Sequence, residues 1–128
     1  IQEAKPTLED YQGYEGCNEV LNVTRPDIIS AIHARYFEAG SEAIETNTFG
    51  ANWANLAEYN IEDRIEELAE AGAAVARQVA DKFATDESPR WVLGSMGPGT
   101  KLPSLGHAPY AQLRDAYETQ TRGMLSGG

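Results

Sequence analysis

Cysteine is nearly absent. Cys17 is the only one in 128 residues, so no disulfide can close within the chain, and one thiolate cannot build a metal cage by itself. A reducing, cytoplasmic setting is the expectation. Basic side chains are also scarce, ten Lys and Arg against twenty Asp and Glu, for a formal net charge of −10. Nucleic acid is excluded as a partner, because phosphate binding needs a basic patch and counterion release. An anionic membrane surface is disfavoured for the same reason, and the acid excess reads as solubility. No run of about 18 apolar residues exists, so no segment has the length to span a membrane as a helix. Ile1 to Lys5 contain neither an initiator Met nor the apolar stretch of a signal peptide, which suggests a processed product or a partial chain. Repeats, low-complexity tracts and composition breaks are missing too, so residues 1–128 read as one unit. An apolar content of 41% is enough for a core.

What is present is organised from Thr24 onward; Ile1 to Val23 look irregular, with Gly13 and Gly16 as interruptions. Thr24 is placed to cap a helix in which Pro26 suits the first turn and Asp27 the positive end of the dipole. Ile28, Ile29, Ile32, Tyr36 and Phe37 recur on one face, and Gly40 ends the helix. Ala43 to Phe49 is strand-like. A second helix is predicted over 61–83, capped by Asn60, with Ile61, Ile65, Leu68, Gly72, Val75, Val79 and Phe83 as its buried stripe. Ala69, Gly72, Ala73 and Ala76 would let it lie close on a sheet. Trp91 to Gly94 reads as a buried strand, Gly97 to Pro109 as a loop, and a last helix carries Tyr110, Leu113, Tyr117, Met124 and Leu125.

The order helix, strand, helix, strand, helix predicts a right-handed parallel βαβ unit. Two parallel strands leave two open edges and need cover on both faces. A complete barrel needs eight strands and about 250 residues. Further polypeptide, or self-association of several copies, is expected to complete the sheet.

Alternation along the first strand places Glu45 and Asn47 on one face and Ile44, Thr46 and Thr48 on the other. An unpaired amide on a dry strand costs roughly 2–7 kcal/mol, and a lone carboxylate far more. Glu45 and Asn47 therefore require partners: a polar network within the protein, water, or a polar ligand. Gly94-Ser95-Met96-Gly97-Pro98 is a second strand end, whose glycines permit close backbone approach or simply a tight turn. It matches neither a phosphate loop nor a dinucleotide fingerprint. His33 is expected on or beside the solvated face of its helix, His107 in a loop or helix-capping role, and Cys17 as a packed or surface thiol. Trp53 and Tyr59 more often seat a loop than line a pocket. Glu62, Asp63, Glu66, Glu67 and Glu70 form a solvated helix face.

Five ordered segments carry a resemblance: Gly16 to Asn22, Thr24 to Ile28, Tyr36 to Gly40, Glu45 to Asn52, and Leu93 to Lys101. In order and spacing they resemble the N-terminal homocysteine-binding module of cobalamin-dependent methionine synthases, and Leu102 to His107 is similar to actinobacterial members. The resemblance implies part of a (β/α)8 TIM barrel that binds homocysteine, activates its sulfur on zinc and receives a methyl group from methylcobalamin. Folate-binding and cobalamin domains would normally follow. It implies Thr46, Asn47 and Ser95 as contacts to the amino-acid group, with Glu45 as a support. The family's first strand would lie just before Ile1 and its three zinc cysteines far beyond Gly128, and Cys17 matches none of them. Residues 1–128 are thus expected to be an incomplete, inactive barrel domain with no catalytic or metal residue and no bound cofactor. A relative using S-methylmethionine or betaine as methyl donor is the alternative, and a non-catalytic self-associating chain a further one.

Overall fold

Helices and strands alternate along the chain much as their periodicity predicts. The computed structural model describes every residue from Ile1 to Gly128. Its elements are α1 (Leu21–Thr24), α2 (Pro26–Glu38), β1 (Ala43–Glu45), α3 (Trp53–Ala57), α4 (Ile65–Phe83), β2 (Trp91–Leu93) and α5 (Tyr110–Gly127). The two strands pair in parallel, with Ala43 opposite Trp91, Ile44 opposite Val92 and Glu45 opposite Leu93. Chain passing through α3 and α4 makes the crossover, so the result is a helix-rich α/β unit around a two-stranded parallel sheet.

Local chemistry explains most boundaries and corrects two. Pro26 is the first residue of α2 and Asp27 lies in its first turn. The residue before the helix is Arg25, not Thr24. Thr24 closes α1 instead, and its hydroxyl donates to Asp10 O at 2.6 Å, tying the leader down. At the other end Gly40 adopts φ 101°, a left-handed conformation that glycine enters without steric cost. Gly40 N–H donates to Phe37 O and Ser41 N–H to Tyr36 O, the paired bonds of a Schellman stop. Asn60 does not cap the long helix either. It turns the chain at φ 57°, and a short 3-10 turn over Glu62–Arg64 leads into α4.

α4 is the centre of the molecule. Ile65, Leu68, Ala69, Gly72, Ala73, Val75, Ala76, Val79 and Ala80 are buried, most of the stripe its period predicts, whereas Phe83 at its end is only half-buried. Leu68 and Ile65 join Val20, Leu56 and Ile61; Val79 and Ala76 meet Phe37 and Ile44; Val75 meets Leu21 and Ile29. The small residues serve two neighbours, where the sequence suggested only a sheet. Gly72 lies against the strand ends, while Ala69 and Ala73 lie beneath Gly123 and Gly127 of α5.

One expected burial, that of β2, fails, and α5 packs through small residues rather than its large ones. In α5 the buried positions are Gln120 and Gly123, whereas Tyr110 and Leu125 are exposed. The helix approaches α4 through its glycines, so its large side chains fall to the flanks. In β2, Trp91 is 60% and Leu93 52% exposed. Their side of the sheet has no covering layer in this chain, while Ile44 on the opposite side is packed beneath α4.

Gly123→Ala tests the α4–α5 contact. A Cβ there would stand 2.5 Å from Glu66 O, a backbone atom that cannot swing aside. Helix propensity alone favours alanine by about 1 kcal/mol, yet overpacking of this kind costs about 1–3 kcal/mol. Urea unfolding of the variant is expected to show a net loss of about 1 kcal/mol; a gain would place α5 farther from α4.

Candidate functional site

β1 leaves the backbone ladder after Thr46 N–H donates to Leu93 O at 2.9 Å. Side chains continue it. Ser95 N–H donates to Thr46 Oγ1 at 3.0 Å, and Thr48 Oγ1 donates to Ser95 O at 2.7 Å. The two threonine oxygens are 2.6 Å apart. Each hydroxyl has one hydrogen, and a carbonyl only accepts. With Thr48's hydrogen on Ser95 O, Thr46 must donate to Thr48. The bonds therefore run in one direction around a closed ring, from Ser95 N–H through Thr46 and Thr48 back to Ser95 C=O. Both threonines are buried, where such rings are strongest.

Asparagines lock the same segment from the other side. Asn22 Nδ2 donates to Asn47 O at 2.8 Å and to Leu68 O at 3.1 Å. Its Oδ1 is then left to accept, and Asn47 Nδ2 donates to it at 2.8 Å and to Asn18 O at 2.9 Å. Both amide orientations follow from this network. The arrangement needs Gly72, where a Cβ would meet Thr48 Cγ2, Asn22 Nδ2 and Asn47 O. The loops beyond are pinned as well: Gly97 N–H donates to Phe49 O, Gln120 Nε2 to Thr48 O and Tyr117 Oη to Gly97 O.

Of the four site residues singled out in the sequence, the structure brings all to the adjoining strand ends, in different states. Thr46 is buried in the ring. Asn47 has used both amide hydrogens, so only its Oδ1 is free to bond. Glu45 is exposed, and Ser95 Oγ donates to its Oε2 at 3.1 Å. A groove of about 550 Å³ runs along the free edge of β1, lined by Ala43, Glu45, Thr46 and Asn47 on one wall and by α2 on the other. The groups still able to bond at these strand ends are mainly acceptors: a carboxylate and an amide oxygen. They suit a cationic or hydrogen-donating ligand group.

Other residues stand apart. His33 does not lie on the solvated face of α2; it is 6% exposed and lines the groove, and burial pushes its pKa below the ordinary histidine value. Its place one turn after Ile29 was the available signal. His107 is a loop residue whose Nδ1 accepts Leu102 N–H at 3.3 Å. Trp53 and Tyr59 seat their loop on the core. Asn22, Asn18 and Gln120 went unrecognised in the sequence because single amides in a leader or a helix carry no periodic signal.

Zinc does not fit these residues. No three His, Cys, Asp or Glu side chains converge as a donor set. Cys17 is buried, and burial, reinforced by the neighbouring Glu19 carboxylate, pushes its thiol up to about 11. A metal ligand needs the opposite shift, toward thiolate.

A parallel βαβ unit with a polar seam at its strand ends is shared by many proteins, and sequence comparison defines this one. The chain belongs to the homocysteine S-methyltransferase family, whose family model matches residues 1–128. It is similar to methionine synthase from Mycobacterium tuberculosis (strain ATCC 25618 / H37Rv), at 58% identity over 128 residues. Methionine synthase from Mycobacterium leprae (strain TN) is 56% identical over 128 residues. Both matches take in 100% of this chain, and the chain spans 11% of the length of each relative. The five segments that carried the resemblance thus lead to the right family.

Asn47→Asp probes the asparagine lock. The side chain keeps its shape but sets an acceptor against Asn18 O and Asn22 Oδ1. Two bonds are lost and buried acceptors oppose one another, so chemical denaturation is expected to show a loss of about 3 kcal/mol. An unchanged midpoint would mean that the amide is not held as described.

Proposed function

We propose that these residues form one side of a (β/α)8 barrel that binds homocysteine and presents it for methylation to methionine. The observation that carries this reading is the unfinished sheet. Trp91, Leu93 and Glu45 share an open face, although parallel sheets are covered on both sides. Lengths roughly nine times that of this chain in the relatives leave ample polypeptide for the remaining strands. In such a barrel the open face is the interior and ligands sit at the C-terminal strand ends. Thr46 to Phe49 and Ser95 to Pro98 occupy that position.

Each residue then has a defined task. Glu45, steadied by Ser95 Oγ, and the free Oδ1 of Asn47 accept hydrogen bonds from the ammonium group of the amino acid. Ser95 Oγ, whose hydrogen goes to Glu45, keeps lone pairs that can accept from the same group. Thr46 sets the separation of the two strand ends through the hydroxyl ring and so positions the other three. Zinc finds no donor set here, and no step is assigned to it in this chain; cobalamin and folate are likewise assigned to other parts of the polypeptide. The 128 residues by themselves are accordingly inactive.

Calorimetric titration of the full-length protein with homocysteine tests these roles. A charge-assisted hydrogen bond contributes about 1.5–3 kcal/mol, so Glu45→Gln should weaken binding by about tenfold or more, and Ser95→Ala by less. Unchanged affinity in Glu45→Gln rejects the placement. Assays with methylcobalamin, S-methylmethionine or betaine as donor separate the cobalamin-dependent reading from its alternative.

A further inference from the structure

The turn that follows β1 is held by a carboxylate that the binding roles above leave unused. Thr48 O accepts Ala51 N–H at 2.9 Å and closes a tight turn with Phe49 and Gly50 at its corner. That bond leaves the N–H of Gly50 outside the turn's own pairing, and Gly50 is buried. Glu19 reaches it from the 3-10 turn over Asn18–Val20, and Gly50 N–H donates to Glu19 Oε1 at 2.9 Å. On the other side of the same peptide group, Phe49 O accepts Gly97 N–H at 3.1 Å and Asn52 Nδ2 at 3.2 Å. The Phe49–Gly50 peptide is thus gripped at both ends, by Glu19 and by the turn that follows β2. Asn18, next to Glu19, accepts Asn47 Nδ2 at its carbonyl and Tyr11 Oη at its side chain. Only glycine fits at position 50 while the carboxylate is there, since a Cβ would stand 2.5 Å from Glu19 Oε1.

We propose that Glu19 is a positioning residue for homocysteine, acting through the Phe49–Gly50 peptide on the spacing of Asn47, Ser95 and Glu45. It touches no substrate in this role. The inference rests on the binding roles proposed above and adds to them a residue that none of them requires. The ligand group accepted by Glu45, Ser95 and Asn47 sits where the two turns meet, so its contacts depend on their separation. The threonine ring fixes that separation on the side next to α4. The clamped peptide fixes it farther along the chain, between Phe49 and Gly97. Without Glu19, Gly50 N–H is left buried and unanswered, and rotating that peptide toward water relieves the cost. Rotation also withdraws Phe49 O from Gly97 N–H, because the carbonyl and the N–H lie in one rigid plane. Glutamine in place of Glu19 keeps an acceptor oxygen, so it can hold the peptide where alanine cannot.

Calorimetric titration of the full-length protein with homocysteine, paired with urea unfolding of each variant, tests the role. Glu19→Ala is expected to raise the Kd about fivefold, and Glu19→Gln less than about twofold. Gly50→Ala reaches the same bond from its other partner. Its Cβ displaces the mobile end of Glu19 rather than backbone, so the protein should fold and show the same loss of about fivefold. A purely structural role lowers the urea midpoint of Glu19→Ala but leaves the Kd of the folded protein at the wild-type value, and that result overturns the proposal. Glutamine binding as weakly as alanine overturns it too. If Glu19→Ala does not fold, Gly50→Ala decides alone, and wild-type affinity in it is the contrary result. Glu45→Gln is titrated alongside: wild-type affinity there rejects the binding roles and this inference with them. A weakened Glu45→Gln beside an unaffected Gly50→Ala removes Glu19 alone.

Discussion

The hydroxyls of Thr46 and Thr48 do what a third pair of strand residues would otherwise do. They accept the N–H and meet the C=O of Ser95, so the two strands remain in register after the backbone ladder has ended. Everything that matters for the site is built outward from that ring. It sets Ser95 beside Glu45, brings Gly97 to Phe49 and fixes the level at which Asn47 meets Asn22. A three-residue parallel pair is too short to hold such positions by backbone bonding alone.

Close packing behind the ring makes this possible. Gly72 lets α4 approach the strand ends, and Gly123 and Gly127 let α5 approach α4. The outcome is asymmetric. One side of the sheet is sealed by helices, while the other presents Trp91, Leu93 and Glu45. The barrel proposed above accounts for the asymmetry: in that reading this unit is one segment of it, and the unsealed side faces the interior.

Much of this was legible in the amino-acid sequence, and the failures share a cause. Helices α2, α4 and α5 and the parallel pairing follow from periodicity and from Pro26 and Gly40. Placement of Glu45, Thr46, Asn47 and Ser95 at strand ends follows from alternation and the glycine-rich turn. Their bonding states do not, because those depend on Asn18, Asn22 and Gln120, which come from distant parts of the chain. Thr24 and Asn60 were misread for a similar reason: capping chemistry is a matter of φ and ψ, and the same residue types also close helices or turn the chain. His33 was misplaced because one polar residue on a helix looks solvated until the helix's neighbours are known. The exposure of Trp91 and Leu93 does not follow from their apolar character, because a run of apolar residues does not show which side of a sheet this chain leaves uncovered.

A double-mutant cycle at the threonine pair tests the ring most directly. Thr46→Val and Thr48→Val each open the same closed loop, so the second substitution removes little that the first has not already disrupted. The cycle is expected to show the double variant losing less stability than the sum of the singles, by about 1 kcal/mol. Losses that simply add would mean that the two hydroxyls act independently and that no ring joins the strand ends.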